Sequence, residues 1–195
     1  MRNLNRMIVL VVGVMSLFAA LAGAANASWT NTGSTTFTAT TGPGTLSTSA
    51  ASLTCSAATA TGTAPASSAG STYVVTGNIT YSPCAISGTA LSVTCTYTLT
   101  ATRTVTGGVS GSAAVSCAIS SATTGRTLSG CTITGSIPGT YTNPVSPTPG
   151  RLSVNGSSGL TVGSSCVLIR GAAGLLPNPQ VYTVTSGLGP NITQP

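Results

Sequence analysis

The chain has 195 residues, 41% hydrophobic and only 3% charged, with a formal net charge of +6 carried by arginine alone and no Lys, Asp, Glu or His. That inventory removes paired carboxylates, a Ser-His-Asp triad, imidazole ligands and carboxylate-held calcium or magnesium, so a non-enzyme with no cofactor and no metal site is expected. Scattered arginines do not make the concentrated basic stripe that neutralises successive phosphates, which argues against a nucleic-acid partner.

Residues 1 to 27 read as an export signal. Arg2 and Arg6 form a positive start, Met7 to Leu21 is a short apolar run, and Ala25-Asn26-Ala27 has the small-x-small pattern of a cleavage site between Ala27 and Ser28. The remainder, 28 to 195, suits one domain with no further membrane-spanning segment. Its charged side chains are Arg103, Arg126, Arg151 and Arg170. Six cysteines, Cys55, Cys84, Cys95, Cys117, Cys131 and Cys166, predict up to three disulfides in an oxidising compartment, and none has Cys-x-x-Cys spacing.

Trp29, Phe37 and Ala39 share a parity, which predicts a strand ended by Gly42-Pro43-Gly44. Leu46 to Ala58 alternates again, with Ala51, Leu53, Cys55 and Ala57 on one side. Residues 62 to 70, with Pro65, read as a loop. Tyr73, Val75, Ile79 and Tyr81 mark the next strand, which Pro83 is expected to break before a short Ser87-Gly88 turn.

From Leu91 to Thr106 every even position from Ser92 on is a hydroxyl residue, while the odd positions carry Leu91, Val93, Cys95, Tyr97, Leu99, Ala101, Arg103 and Val105. Period two with β-branched Thr on one side is a strand with one face on a core and one on water. A three-residue turn, Gly107 to Val109, would bring its apolar face against that of the following strand, matching Leu99 with Cys117. That register holds Cys95 about 13 Å, at ~3.3 Å per residue, from the point opposite Cys117. The pairing then expected is Cys84 with Cys95, Cys117 with Cys131, and Cys55 with Cys166.

Ala113 to Ser120 and Cys131 to Ile137 are further strands around a Gly125-Arg126 turn. Pro138 to Gly150, with four prolines, reads as a long crossing loop. Leu152 to Val154, Leu160 to Val162, Cys166 to Arg170 and Val181 to Thr185 follow as short strands, with a loose tail from about 187. The fold class expected is all-β, a disulfide-supported antiparallel β-sandwich of roughly eight to ten strands.

Phe37-Thr38-Ala39, Gly44-Thr45-Leu46, Leu53-Thr54-Cys55, Gly62-Thr63, the Ile79 strand closing on Cys84, and Gly135-Ser136-Ile137-Pro138-Gly139-Thr140-Tyr141 resemble secreted bacterial proteins of the activator-of-alkane-oxidation family, the PraB type, over roughly residues 35 to 142. The resemblance implies a secreted or surface-associated β-protein linked to hydrophobic substrates or biofilm matrix.

The functional expectation is a non-enzymatic extracellular or cell-surface structural protein for coating, matrix or adhesion, self-associating through sheet edges or binding cell-envelope or matrix polymers. The alternative is a secreted binding module for an apolar small molecule or a polysaccharide, with Trp29, Tyr73, Tyr81, Tyr97, Tyr141 and Tyr182 as stacking candidates. A third reading takes the Thr ladder as an ice-binding surface. Asn78, Asn155 and Asn191 head N-glycosylation patterns.

Overall fold

The computed structural model describes residues 28–125, 127–156, 159–164, 166, 168–169, 171–176 and 179–195. The expected signal peptide with Ala27, and Arg126 and Arg170, lie outside the described residues. The chain is all-β and antiparallel, with fifteen strands among the described residues, and its two layers share one core.

One layer is continuous. Strands β7 (Tyr73–Ile86), β8 (Thr89–Val105), β9 (Gly108–Ser121) and β10 (Thr127–Thr142) follow one another as a meander of 14 to 17 residues each. Their alternation sorts the side chains: Val75, Val93, Cys95, Ala113, Ile119 and Ile133 are buried, while Thr76, Thr94, Thr96, Ser116 and Thr134 are exposed. Each fully buried aliphatic residue such as Leu91 or Ile119 contributes about 1.5–3 kcal/mol. Ser87 and Gly88 both take positive φ in the two-residue turn that joins Ile86 to Thr89, as a tight hairpin requires.

The other layer is split into two tiers. One hairpin supplies β2 (Thr36–Thr41) continuing as β3 (Gly44–Thr48), then β4 (Ser52–Cys55) continuing as β5 (Ala58–Thr63). A second supplies β11 (Arg151–Val154) and β12 (Leu160–Val162), then β13 (Gly171–Leu176) and β14 (Gln180–Val184). At one level the order is β10-β11-β14-β2-β5-β7; at the other it is β10-β12-β13-β3-β4-β7. With β8 and β9 completing the circuit, eight strands surround the core at either level. The expected sandwich is thus joined at both margins into an up-and-down barrel.

A small sheet of β15 (Ile192–Thr193), β1 (Ser28–Asn31) and β6 (Ser67–Ala69) covers one end. Trp29 beneath it packs on Tyr73 with ring centroids 6.2 Å apart. The segment beyond Gly187, expected to be loose, returns to this cap because two asparagines bind its backbone. Asn31 Oδ1 accepts from Asn191 N–H at 2.9 Å, and Asn143 both donates to Ile192 C=O at 2.7 Å and accepts from its N–H at 2.9 Å.

The disulfides correct the expected pairing: they are Cys55–Cys84, Cys95–Cys117 and Cys131–Cys166. The turn after β8 is the two-residue Thr106-Gly107, and Thr102 is an unpaired bulge between the Ala101/Gly111 and Arg103/Ser110 pairs. Turn and bulge together restore the in-phase apolar faces that a three-residue turn was expected to give, but four residues away in register. Cys95 therefore faces Cys117 directly, with Cα atoms 3.8 Å apart. Cys55 likewise faces Cys84 and closes one margin between the layers, and Cys131–Cys166 ties β10 to the loop after β12 at the other margin.

Two prolines sit inside strands rather than ending them. Pro83 occupies a bulge between Tyr81 and Cys84, and Pro138 pairs with Ser112 on the exposed side of β10, so the loop after β10 begins only at Asn143. Three disulfides fit an oxidising, non-cytoplasmic environment. No helix among the described residues is long and apolar enough to cross a membrane. The barrel turns hydroxyl residues outward and apolar ones inward, opposite to the outward apolar band of a membrane barrel.

Candidate functional site

Between the two layers lies a cavity of about 100 Å³. Several inward positions on it are filled by little: Ala39, Ala60 and Ala113 line it. Phe37, Gly62, Gly77, Tyr97 and Val115 form one register row across five strands. The rings of Phe37 and Tyr97 fold over the glycine pair. A Cβ at Gly77 would lie 2.0 Å from Thr61 O and 2.6 Å from the Tyr97 hydroxyl, so the tilt of Tyr97 depends on glycine there. Tyr97 is held at its tip by donating to Thr61 C=O at 3.1 Å.

The lining is mostly apolar; besides Thr45 and the phenols of Tyr97 and Tyr141, its polar groups form one cluster. The Tyr81 hydroxyl, from the continuous layer, hydrogen-bonds the Tyr182 hydroxyl of the split layer, and Tyr182 donates to Gln180 Oε1 at 3.4 Å. Gln180 is 1% exposed, lines the cavity, and its Nε2 has no hydrogen-bond partner. It starts β14, immediately after the break from β13, opposite Val154 in register. Leaving a buried amide nitrogen unpaired costs about 1–3 kcal/mol.

Among the described residues, no charged side chain lines the cavity. Arg103 and Arg151 are exposed, the former donating from Nε to Ser110 Oγ at 2.8 Å. Burial pushes the hydroxyls of Tyr81, Tyr97, Tyr141 and Tyr182 above the ordinary tyrosine range, and that of Tyr73 up to about 12. For Tyr182 the neighbouring Tyr81 adds to the effect. These phenols are neutral hydrogen-bonding groups at ordinary pH.

Of the six aromatic candidates, Tyr81, Tyr97, Tyr141 and Tyr182 meet around this cavity. Trp29 and Tyr73 are core fillers under the cap, and Tyr73 borders a separate cavity of about 50 Å³. Tyr141 borders both cavities and donates to Pro190 C=O at 2.8 Å, so it partitions them. Gln180 was not singled out by sequence reasoning, although it shares the inward parity of Tyr182 and Val184. A lone polar residue in an apolar phase was the available signal.

The Thr ladder is wider than one strand. Thr38, Thr61, Asn78, Thr96, Ser116, Thr134 and Thr161 are register partners in series, and Thr40, Thr59, Thr80 and Thr94 form the row beside them. These rows wrap a sheet that closes within eight strands, so they do not lie in the single plane that a crystal face of ice presents.

No protein-family model, no curated protein and no solved structure matches this chain.

Proposed function

We propose that the protein is a secreted, non-enzymatic binding barrel that holds a neutral apolar small molecule between its two layers. The observation that carries this reading is the cavity between the layers, apolar over nearly all its lining and without a charged side chain among the described residues, with the Tyr81, Tyr182 and Gln180 cluster at its wall. The absence of Asp, Glu, His and Lys from the sequence supports the non-enzymatic part. The short apolar run before Ser28 and the three disulfides support export.

The test is thermal unfolding of the secreted protein with benzene or cyclohexane. A saturable rise in Tm, reduced by filling the cavity with Ala60→Leu, is expected. No rise with either compound would overturn the reading.

The second reading is a coat, matrix or adhesion protein, favoured by the outward rows of Thr and Ser. Barrel closure leaves its own strands without free edges, so edge-to-edge assembly would run through β6 or β15 of the cap. Regular filaments in negative-stain images of the secreted protein, lost on disrupting β15, would move the conclusion to this second reading.

A further inference from the structure

This inference rests on the binding reading above and names the ligand chemistry. We propose that the cavity selects a compact, neutral, apolar molecule bearing one hydrogen-bond-accepting oxygen, as in a ketone, ester or ether, and that Gln180 donates to that oxygen.

Size comes first. An engineered apolar cavity of about 150 Å³ takes up benzene, so a cavity of about 100 Å³ suits a molecule no larger than a single small ring, not a long chain. Charge comes next. An anion or cation would lose its hydration with no opposite charge to replace it, because no ionised side chain among the described residues lines the cavity.

The preference for an acceptor follows from counting hydrogens. Tyr81 and Tyr182 bring one hydroxyl hydrogen each and Gln180 brings two amide hydrogens, while the bonds joining the three groups use only one hydrogen apiece. Turned over, the amide would present Oε1 there and call for a ligand donor, so the acceptor preference belongs to the orientation in which Tyr182 donates to Gln180 Oε1. In the orientation observed, the free donor is Gln180 Nε2. A ligand with one oxygen and otherwise apolar surface takes one of the two amide hydrogens left over and keeps its other contacts apolar. A hydrocarbon of the same shape leaves the amide unpaired.

The experiment compares cyclohexanone with methylcyclohexane, by calorimetric titration of the wild-type protein and of Gln180→Met. Wild type is expected to bind cyclohexanone about tenfold more tightly, as one additional buried hydrogen bond provides. Gln180→Met is expected to lose that preference while still binding methylcyclohexane. In wild type, the Gln180 side-chain amide resonances should shift with cyclohexanone and not with methylcyclohexane, a readout that does not depend on the variant folding. Equal binding of both compounds by wild type, with no selective shift, would overturn the acceptor inference and leave the apolar-cavity reading standing. Binding of neither would overturn the reading itself.

Discussion

The continuous layer and the split layer enclose the same core but are built differently. Strands β7 to β10 run 14 to 17 residues, and each passes both levels of the barrel with local bulges. Across from them, the same height is covered by paired segments of three to six residues, broken between Thr41 and Gly44, Cys55 and Ala58, Val154 and Leu160, and Leu176 and Gln180. The first layer supplies a regular frame; the second supplies, beside one of its breaks, the buried amide that the frame has no place for. Gln180 keeps the inward phase of β14, so the first residue after the break carries a polar group into the wall.

Alkaline pH tests the link between the layers most severely. The hydroxyls of Tyr81 and Tyr182 join them across the core, and both are held above the usual tyrosine value by burial. A group whose folded pKa is raised adds stability that is fully present below the unfolded value near 10 and lost as pH rises through the folded value. Tm should therefore fall steeply above about pH 10. It should stay nearly flat from about pH 3 to 9, because no carboxylate or imidazole side chain exists to titrate. A midpoint that drops at acid pH would contradict this.

Removing the marginal disulfide is the next largest perturbation. Cys55→Ala with Cys84→Ala opens a loop with a sequence separation of 29, and should cost about 3.5 kcal/mol by the loop-entropy relation. Hydrogen exchange should then rise in β3, β4 and β5 before it rises in β8 and β9. Removing Cys95–Cys117, which joins neighbours within the continuous layer, should show no such asymmetry. Uniform exchange in both variants would mean that the two layers unfold as one.

Gly77→Ala should cost about 2–3 kcal/mol in denaturant unfolding, because the added Cβ meets Thr61 O and the Tyr97 ring. Gln180→Met should have a smaller effect, within about 1 kcal/mol, because it removes the unpaired Nε2 and also the acceptor of the Tyr182 hydroxyl. The smallest effect belongs to the outward rows: Thr96→Val should change stability by no more than about 0.5 kcal/mol.

The same contrast explains what the sequence could disclose. Strict alternation identifies β8 and its inward residues from Leu91 to Ala101, where period two is unbroken; past the bulge at Thr102, Arg103 is exposed instead of facing the core. Its partner register was not legible. The bulge at Thr102 leaves no compositional mark, yet with the short turn it decides that Cys95 meets Cys117. Pro83 and Pro138 looked like terminators because a proline's position within the ladder is visible only once its neighbours are known. In the split layer the segments are short, so closure between β14 and β2 emerges only from long-range pairing, while the parity Gln180 shares with Tyr182 and Val184 was the one local signal. The aromatic candidates were partly legible as a composition and not as a site, since parity alone does not say that Tyr81 and Tyr182 lie across the same core.

The most direct test of a dry cavity between the two layers is a crystal of the secreted protein pressurised with xenon. A xenon site bounded by Ala60, Ala113, Tyr97 and Gln180 is the predicted result, since apolar cavities of this kind stay dry and take up xenon. A cavity that excludes xenon because ordered waters or collapsed side chains fill it would contradict the binding barrel.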